Sequence, residues 1–249
     1  MNDLTYVSRR SKKILTEKGP IELFHGAVRY LRWKYPFVEV RIRNLYNQLI
    51  YPGPIADPFK IISVDPDKLN QTSSKFSTFH HVGIIDGSDW DQNTVSVKHH
   101  PKYIAVSQHF SENISWEDTG IFEYYKRIFD KQGQVDGYYS LNELKKRYIE
   151  IDEIYQDIRN NGFKSPADAS DTVLCKKEKL DYPAIHIGRD GELIFGVGWH
   201  RFTMSRVLDL DSIPVRVIAR HKKWQAKRAE FKNEGIPNKY TSHPDLQNL

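Results

Sequence analysis

Cysteine is almost missing from this 249-residue chain, where Cys175 stands alone. A single thiol cannot close an internal disulfide or build a multi-cysteine zinc site, and its scarcity fits a reducing compartment. Without a histidine near it in sequence, Cys175 reads as a small hydrophobe. Long apolar runs are missing too. No stretch approaches the roughly 20 apolar residues needed to span a bilayer. Arg9, Arg10, Lys12 and Lys13 precede only Ile14 and Leu15, which is not a signal-peptide core. The expectation is a cytoplasmic protein. Internal repeats and low-complexity tracts are absent. The pairs His80-His81 and His99-His100 predict no metal site, because neighbouring side chains on a strand point to opposite faces. No carboxylate–histidine spacing of the zinc type accompanies them. Asp86, Asp89 and Asp91 could offer oxygen ligands to a divalent cation, or Asp86-Gly87 and Ser88-Asp89 could simply form a turn.

What the chain does have is charge at both ends. Residues 1–50 hold ten Lys and Arg against four Asp and Glu, and residues 216–249 hold eight against three. With a whole-chain charge of +5, the middle is left at about −6. Basic ends around an acidic middle point to an anionic partner, either an anionic membrane surface or nucleic acid, or else to nothing more than a solvated surface. Residues 21–35 place Leu23, Phe24, Ala27, Val28 and Leu31 at helical spacing with Arg29, Arg32 and Lys34 between them. Such a helix can lie on an anionic bilayer or turn its apolar side to the domain. Val38, Val40 and Ile42 then alternate with charged residues before Leu45, Leu49 and Ile50 return to helical spacing.

Further elements follow from pattern and punctuation. Residues 59–64 and 82–85 read as short strands. Ser115 to Asp118 reads as a helix start, with Ile121, Phe122, Tyr125, Ile128 and Phe129 on one face. The longest helix opens at Ser140, carries Leu141, Leu144, Tyr148, Ile151, Ile154, Tyr155 and Ile158, and ends at Gly162. Lys164 to Leu180 reads as a loop. A basic helix runs from Arg220 to Phe231, anchored by Trp224 and Phe231, and the residues after Pro237 read as a disordered tail.

The chain is organised around residues 184–218. Ile185 and Ile187 alternate with His186 and Gly188 as a half-buried strand. Asp190-Gly191 predicts a two-residue hairpin turn, and Leu193, Ile194 and Phe195 form the return strand. Gly196 and Gly198 break it, and Trp199, His200 and Arg201 open a short helix ending near Leu210. Val215, Val217 and Ile218 form the next strand. A glycine turn feeding a helix start suits an anion, because the first backbone N–H groups lack helical partners and the dipole adds positive potential. Arg201 offers a donor fork that matches phosphate. Alternatively, the glycines only close a turn and Arg201 meets a surface carboxylate.

Strand, Asp-Gly hairpin, strand, Gly198-Trp199-His200-Arg201, helix and Ile213-Pro214-Val215 strand together resemble the core of the ParB/sulfiredoxin-like family. The segment Tyr148 to Phe163 is similar to an upstream helical box of that family. The resemblance covers about the second half of the chain. It implies an α/β (α+β) fold with a ParB/sulfiredoxin-like core and basic C-terminal helix at 140–235, an N-terminal α/β extension at 1–139 and a tail at 236–249. It implies nucleotide phosphates at Gly198, Trp199, His200 and Arg201, with Arg147 as a further phosphate contact. In kinase members a carboxylate precedes the long helix. Glu143 is the candidate catalytic carboxylate here, with His200 beside the phosphates. Ser140-x-x-Glu143 is equally a capping box, and Arg147 could pair with Glu143 at i+4. Trp199 stands where sulfiredoxins use a cysteine, which disfavours their chemistry. Asp157 and Val197 depart from the family pattern, the first by placing a negative charge near the phosphates.

The resemblance implies a nucleotide-binding phosphotransferase of kinase type, using ATP or ADP with Mg²⁺ on a small hydroxylated metabolite or glycan precursor. The alternatives are a ParB-like DNA-binding protein or nuclease, and a non-catalytic module with a relic pocket. Whether the chain is an enzyme stays open at this level.

Overall fold

A computed structural model of the chain describes residues 35–77, 79–163, 182–247 and 249. The basic N-terminal stretch through residue 34, the loop expected at 164–180 and Cys175 lie outside the described residues. The fold is mixed α/β, with six α-helices and a seven-stranded mixed sheet among the described residues. In chain order the elements are α1 (Pro36–Ile50), β1 (Ile61–Val64), β2 (Gln71–Thr72), β3 (Ile84–Asp86), β4 (Val95–Ser96) and α2 (Pro101–Glu112). They continue with α3 (Ile121–Gln132), α4 (Leu141–Asn161), β5 (Ala184–Ile187), β6 (Leu193–Val197), α5 (Trp199–Val207), β7 (Ile213–His221) and α6 (Lys222–Glu234).

The strands lie in the order β1-β7-β5-β6-β2-β4, with β3 also on β7. β7 takes three partners. One edge pairs antiparallel with β1 from Ile213 to Arg216, then parallel with β3 from Ala219 to His221. The other edge pairs parallel with β5. The sheet therefore draws strands from both sides of residue 139.

On one face Val64, Ile185, Ile187, Phe195, Val215 and Val217 pack with Phe202 of α5 and with Trp224 and Phe231 of α6. The other face sets Ala184, Ile194, Ile218 and Ala219 against Phe76, Val82, Trp90 and Val40. A third cluster lies among α2, α3 and α4, and Met204 of α5 completes it. Helix α5 thus contributes Phe202 to one core and Met204 to another, which pins its N-terminus between sheet and helices.

Several expectations are corrected by this packing. β5 is buried along its whole length, His186 included, because it lies between β6 and β7 with both faces covered. Alternation describes a strand with one wet face, and β5 has none. The β5–β6 loop is a three-residue turn rather than a two-residue one: Gly191 N–H donates to Gly188 O, and Gly188 N–H donates to Glu192 O. Gly191 has φ +92° while Asp190 is not left-handed, which is the type I turn with a glycine bulge. Gly196 does not break β6. A Cβ there would lie 2.8 Å from the His186 ring, so glycine admits a buried neighbour.

The strand-like alternation of Val38, Val40 and Ile42 belongs to helix α1, which starts with Pro36 in its first turn, where a missing N–H costs nothing. Residues 116–120 form a turn, and α3 begins at Ile121. Helix α2 had no counterpart in the sequence reading. Asp89 and Asp91, offered above as oxygen ligands, each pair with the Arg189 guanidinium at 2.7 Å.

The C-terminal residues are tied down. Asp245 accepts from Arg220 Nη2 at 2.6 Å, Arg228 Nη1 at 2.8 Å and the Trp224 indole at 3.0 Å. Leu246 inserts into the core beside them. Burial alone would raise the Asp245 pKa, but the two guanidinium groups overcome it and bring it down to about 2.

Replacing Asp245 by Ala leaves two buried arginines without their counter-charge. Removing one partner of a buried ion cluster costs about 3–5 kcal/mol, so the unfolding free energy of Asp245→Ala from a urea titration should fall by that order, with a lower midpoint. Because the folded pKa lies below the ordinary carboxylate value of 3.8, this stabilisation is present above that pH and is lost only as pH falls towards 2.

Candidate functional site

Helix α5 starts where β6 ends because Gly198 turns the chain. Its φ is +99°, and a Cβ would meet Pro183 Cα at 2.8 Å, so both conformation and space require glycine. The first turn of α5 faces a cleft of about 870 Å³. Two helices present their N-terminal ends to it, α5 through Gly198, Trp199 and His200 and α2 through His100 and Lys102, while α4 contributes Leu144, Arg147 and Tyr148 from beyond its first turn. Ser73, Ser74 and Ser77 form a hydroxyl-rich wall, and Asp136 closes the mouth from the turn between α3 and α4.

Helix N-termini carry partial positive charge, and their dipoles add where they converge. Lys102 and Arg147 contribute two full cations. Lys102 forms an ion pair with Asp136 and lies 5.7 Å from the Tyr125 ring centre. Arg147 Nη1 holds Glu150 at 2.7 Å. The cleft therefore has two side-chain cations and a single carboxylate among its described lining residues.

Histidine chemistry at this place is unusual. The His100 ring stacks on Trp199 with centroids 3.8 Å apart and planes 8° from parallel. Its Nδ1 accepts the Lys102 N–H at 3.2 Å, capping α2. Burial, aided by Lys102, lowers the His100 pKa to about 4. His200 lies with Nε2 3.3 Å from the Tyr148 hydroxyl, which itself donates to Tyr125 at 3.2 Å. The His200 ring is thereby joined through Tyr148 to Tyr125. Burial, with the charges of Lys102 and Arg147, lowers the His200 pKa to about 3. Both imidazoles are neutral at pH 7. Burial raises both tyrosine pKa values, so the hydroxyls stay protonated.

The residues expected from the sequence divide. Gly198, Trp199, His200 and Arg147 come together at the cleft. Arg201 lines an adjoining cavity of about 500 Å³, which shares Arg147, Val197, Gly198 and His200 with the first. Glu143 lines neither. Ser140 accepts the Glu143 N–H as N-cap, and the Glu143 carboxylate reaches back to accept the N–H of Tyr139, one residue before the cap, at 2.8 Å, a variant of the capping box. Arg147 pairs with Glu150, not with Glu143. Asp157 accepts from Asn161 and lines neither cavity.

Lys102, Asp136, His100 and the serine wall were missed. Asp136-Gly137 was legible as a turn, since Asp136 has φ +50° and Gly137 +84°, but nothing in spacing joins it to Lys102. Among the described residues no group of three His, Cys, Asp or Glu could hold a metal ion. The basic C-terminal end divides: Arg216, Arg220 and Arg228 are buried and Lys227 pairs with Asp190 at 2.5 Å, while Lys222, Lys223, Lys232 and Lys239 are exposed. No described helix is long and apolar enough to cross a membrane. Compared with protein-family models, curated proteins and solved structures, the chain matches none of them.

The buried histidines predict acid sensitivity. His100, His186 and His200 have folded pKa values of about 4, 4 and 3, against 6.5 for a free imidazole. Above 6.5 both folded and unfolded forms are neutral and stability is full. As pH falls from there towards 4, the unfolded chain takes up protons that the fold refuses, and stability drops. The melting temperature should therefore fall steeply between pH 6.5 and 4, and His200→Gln should flatten that slope. An unchanged slope would show that His200 is protonated in the folded protein.

Proposed function

We propose that the cleft at the start of α5 binds the phosphates of ATP or ADP, and that the protein transfers a phosphoryl group to a small hydroxylated metabolite or glycan precursor. The observation that carries this reading is the convergence of the N-termini of α5 and α2 with the side chains of Lys102 and Arg147 on one cleft. Such a setting favours a polyanion. It is consistent with a ParB/sulfiredoxin-like core, whose motif Gly198-Trp199-His200-Arg201 falls at the first turn of α5.

The donor set fits a nucleotide phosphate chain better than a free cation. Backbone N–H groups of α5, Lys102 and Arg147 are donors, and Asp136 is the one carboxylate at the mouth. Mg²⁺ would be carried largely by the phosphates and water, as it is in sites with few protein carboxylates. When bound, the nucleotide supplies the phosphoryl group. The chain's own residues hold and orient it: Lys102 and Arg147 offset charge on the phosphate oxygens, and neutral His200 is fixed in place by Tyr148. Glu143 is occupied by its cap, so the acceptor hydroxyl's proton passes to Asp136, with the serine wall orienting the acceptor.

The rival reading, a ParB-like DNA-binding protein or nuclease, has less support, because much of the basic C-terminal charge is spent on Asp245 and Asp190.

Thermal unfolding with ATP or ADP, each with and without Mg²⁺, tests the proposal. A ligand that binds only the folded state raises the melting temperature. We expect a shift with at least one nucleotide. Arg147→Ala and Lys102→Ala should each weaken binding about tenfold or more, the size of a lost charged hydrogen bond. Asp136→Asn should retain nucleotide binding and lose turnover. No shift with either nucleotide would sink the reading.

A further inference from the structure

Helix α1 is mounted the wrong way round for a helix that only serves its own core. Its polar side faces inward. Arg43 donates to the carbonyls of His80 and Val82 at 2.6 and 2.7 Å, and Asn47 donates to that of Gly83 at 2.8 Å. Glu39 lies 3.0 Å from the His80 ring nitrogen. Asn44 and Asn47 are buried, and among the described side chains of α1 Val40 enters a hydrophobic core cluster while Phe37 meets Phe59 at its edge.

The apolar side faces outward. Val38, Ile42, Leu45 and Leu49 are 55%, 61%, 62% and 85% exposed. They follow one another at steps of four, three and four residues, so they form a single stripe along the helix. Tyr46 and Ile50 widen it, and both are exposed. Among the described residues none of the six packs against a core cluster. Single exposed apolar residues need no explanation, but a continuous stripe marks a surface with a partner.

Charge selects the partner. Residues 1–34, which lead directly into α1, carry eight Lys and Arg against three Asp and Glu, a surplus of five. The whole chain is +5, so the remaining residues balance at 29 of each sign. A surplus of five positive charges thus lies in the stretch that leads into the apolar stripe. A second copy docking through α1 would bring two such basic segments together. A nucleic acid would meet the charge but not the stripe. An anionic bilayer answers both, with acyl chains for the stripe and headgroups for the basic residues.

We infer that the outward face of α1, with the basic segment before it, docks the protein on an anionic lipid surface, with the helix lying in the plane of the interface. Tyr46 on this face suits the boundary between headgroup and acyl chain. The docking does not depend on the nucleotide reading, since the described lining of the cleft contains no α1 residue.

Flotation of the full chain with vesicles tests this. Vesicles of phosphatidylcholine alone are compared with phosphatidylcholine containing phosphatidylglycerol, at low and high salt. The full chain should float with the anionic vesicles only, and less at high salt. The triple variant Ile42→Ser/Leu45→Ser/Leu49→Ser should lose at least about tenfold in partitioning, given the apolar area withdrawn. Because those side chains are exposed, its circular dichroism and melting temperature should match the parent. Replacing Arg9, Arg10, Lys12 and Lys13 by Gln should weaken flotation without touching the stripe. No flotation, or equal flotation of the triple variant, would overturn the inference. So would light scattering that finds a dimer in the parent and a monomer in the triple variant, which would assign the stripe to a second copy.

Discussion

Nine residues of β7 hydrogen-bond to three strands at once, and the architecture follows from that constraint. β1 and β3 share one edge of β7, and β5 occupies the other. Both faces of this central strand are covered as well, by Phe202, Trp224 and Phe231 on one side and Val82 and Trp90 on the other, which is why Ile213 to His221 is buried at eight of nine positions. Charged residues in such a strand need partners, and Arg220 finds one in Asp245. The C-terminal residues are ordered for that reason: burial of two guanidinium groups is tolerable only with a carboxylate between them. Pairing β5 beside β7 also places β6 next, and the end of β6 sets where α5 begins.

The cleft is a consequence of how α5 is held. Phe202 belongs to the sheet core and Met204 to the helical cluster. The first turn of α5 is thereby fixed between the sheet and the ends of α2 and α4. The His100–Trp199 stack and the His200–Tyr148–Tyr125 chain join those three helices at the cleft itself. Two neutral histidines, rather than two more cations, stand beside Lys102 and Arg147, because burial disfavours the charged imidazole and the neighbouring cations add to that. The result is a moderately positive, hydrogen-bonding cavity and not a saturated cluster of charge.

Legibility of the sequence varied with how local each signal was. The helix from Ser140 to Gly162 was legible in full, cap and stop included, because a capping box and a terminal glycine act within four residues of the chain. The β5–β6 hairpin and the glycine at the start of α5 were legible for the same reason. The β5 alternation misled, since half-burial presumes an exposed face that this strand lacks. Helix α1 misled in another way: its outward side is the apolar one, so a pattern rule that assigns apolar residues to the core inverts it. Glu143 was legible as a cap and also as a catalyst, and the observed contact is the cap.

By itself, the sequence determined the local turns and caps, the α/β class, the balance of charge along the chain and the glycine that starts α5. Each of these rests on backbone conformation or on side chains a few residues apart. Only the tertiary structure decided which charges meet. Lys102, Asp136, Arg147 and His200 are brought to one cleft from four separate segments. Asp245 is joined to Arg220 across 25 positions, and Arg189 to Asp91 across 98. Those meetings depend on how strands pair and helices pack, and no spacing along the chain encodes them.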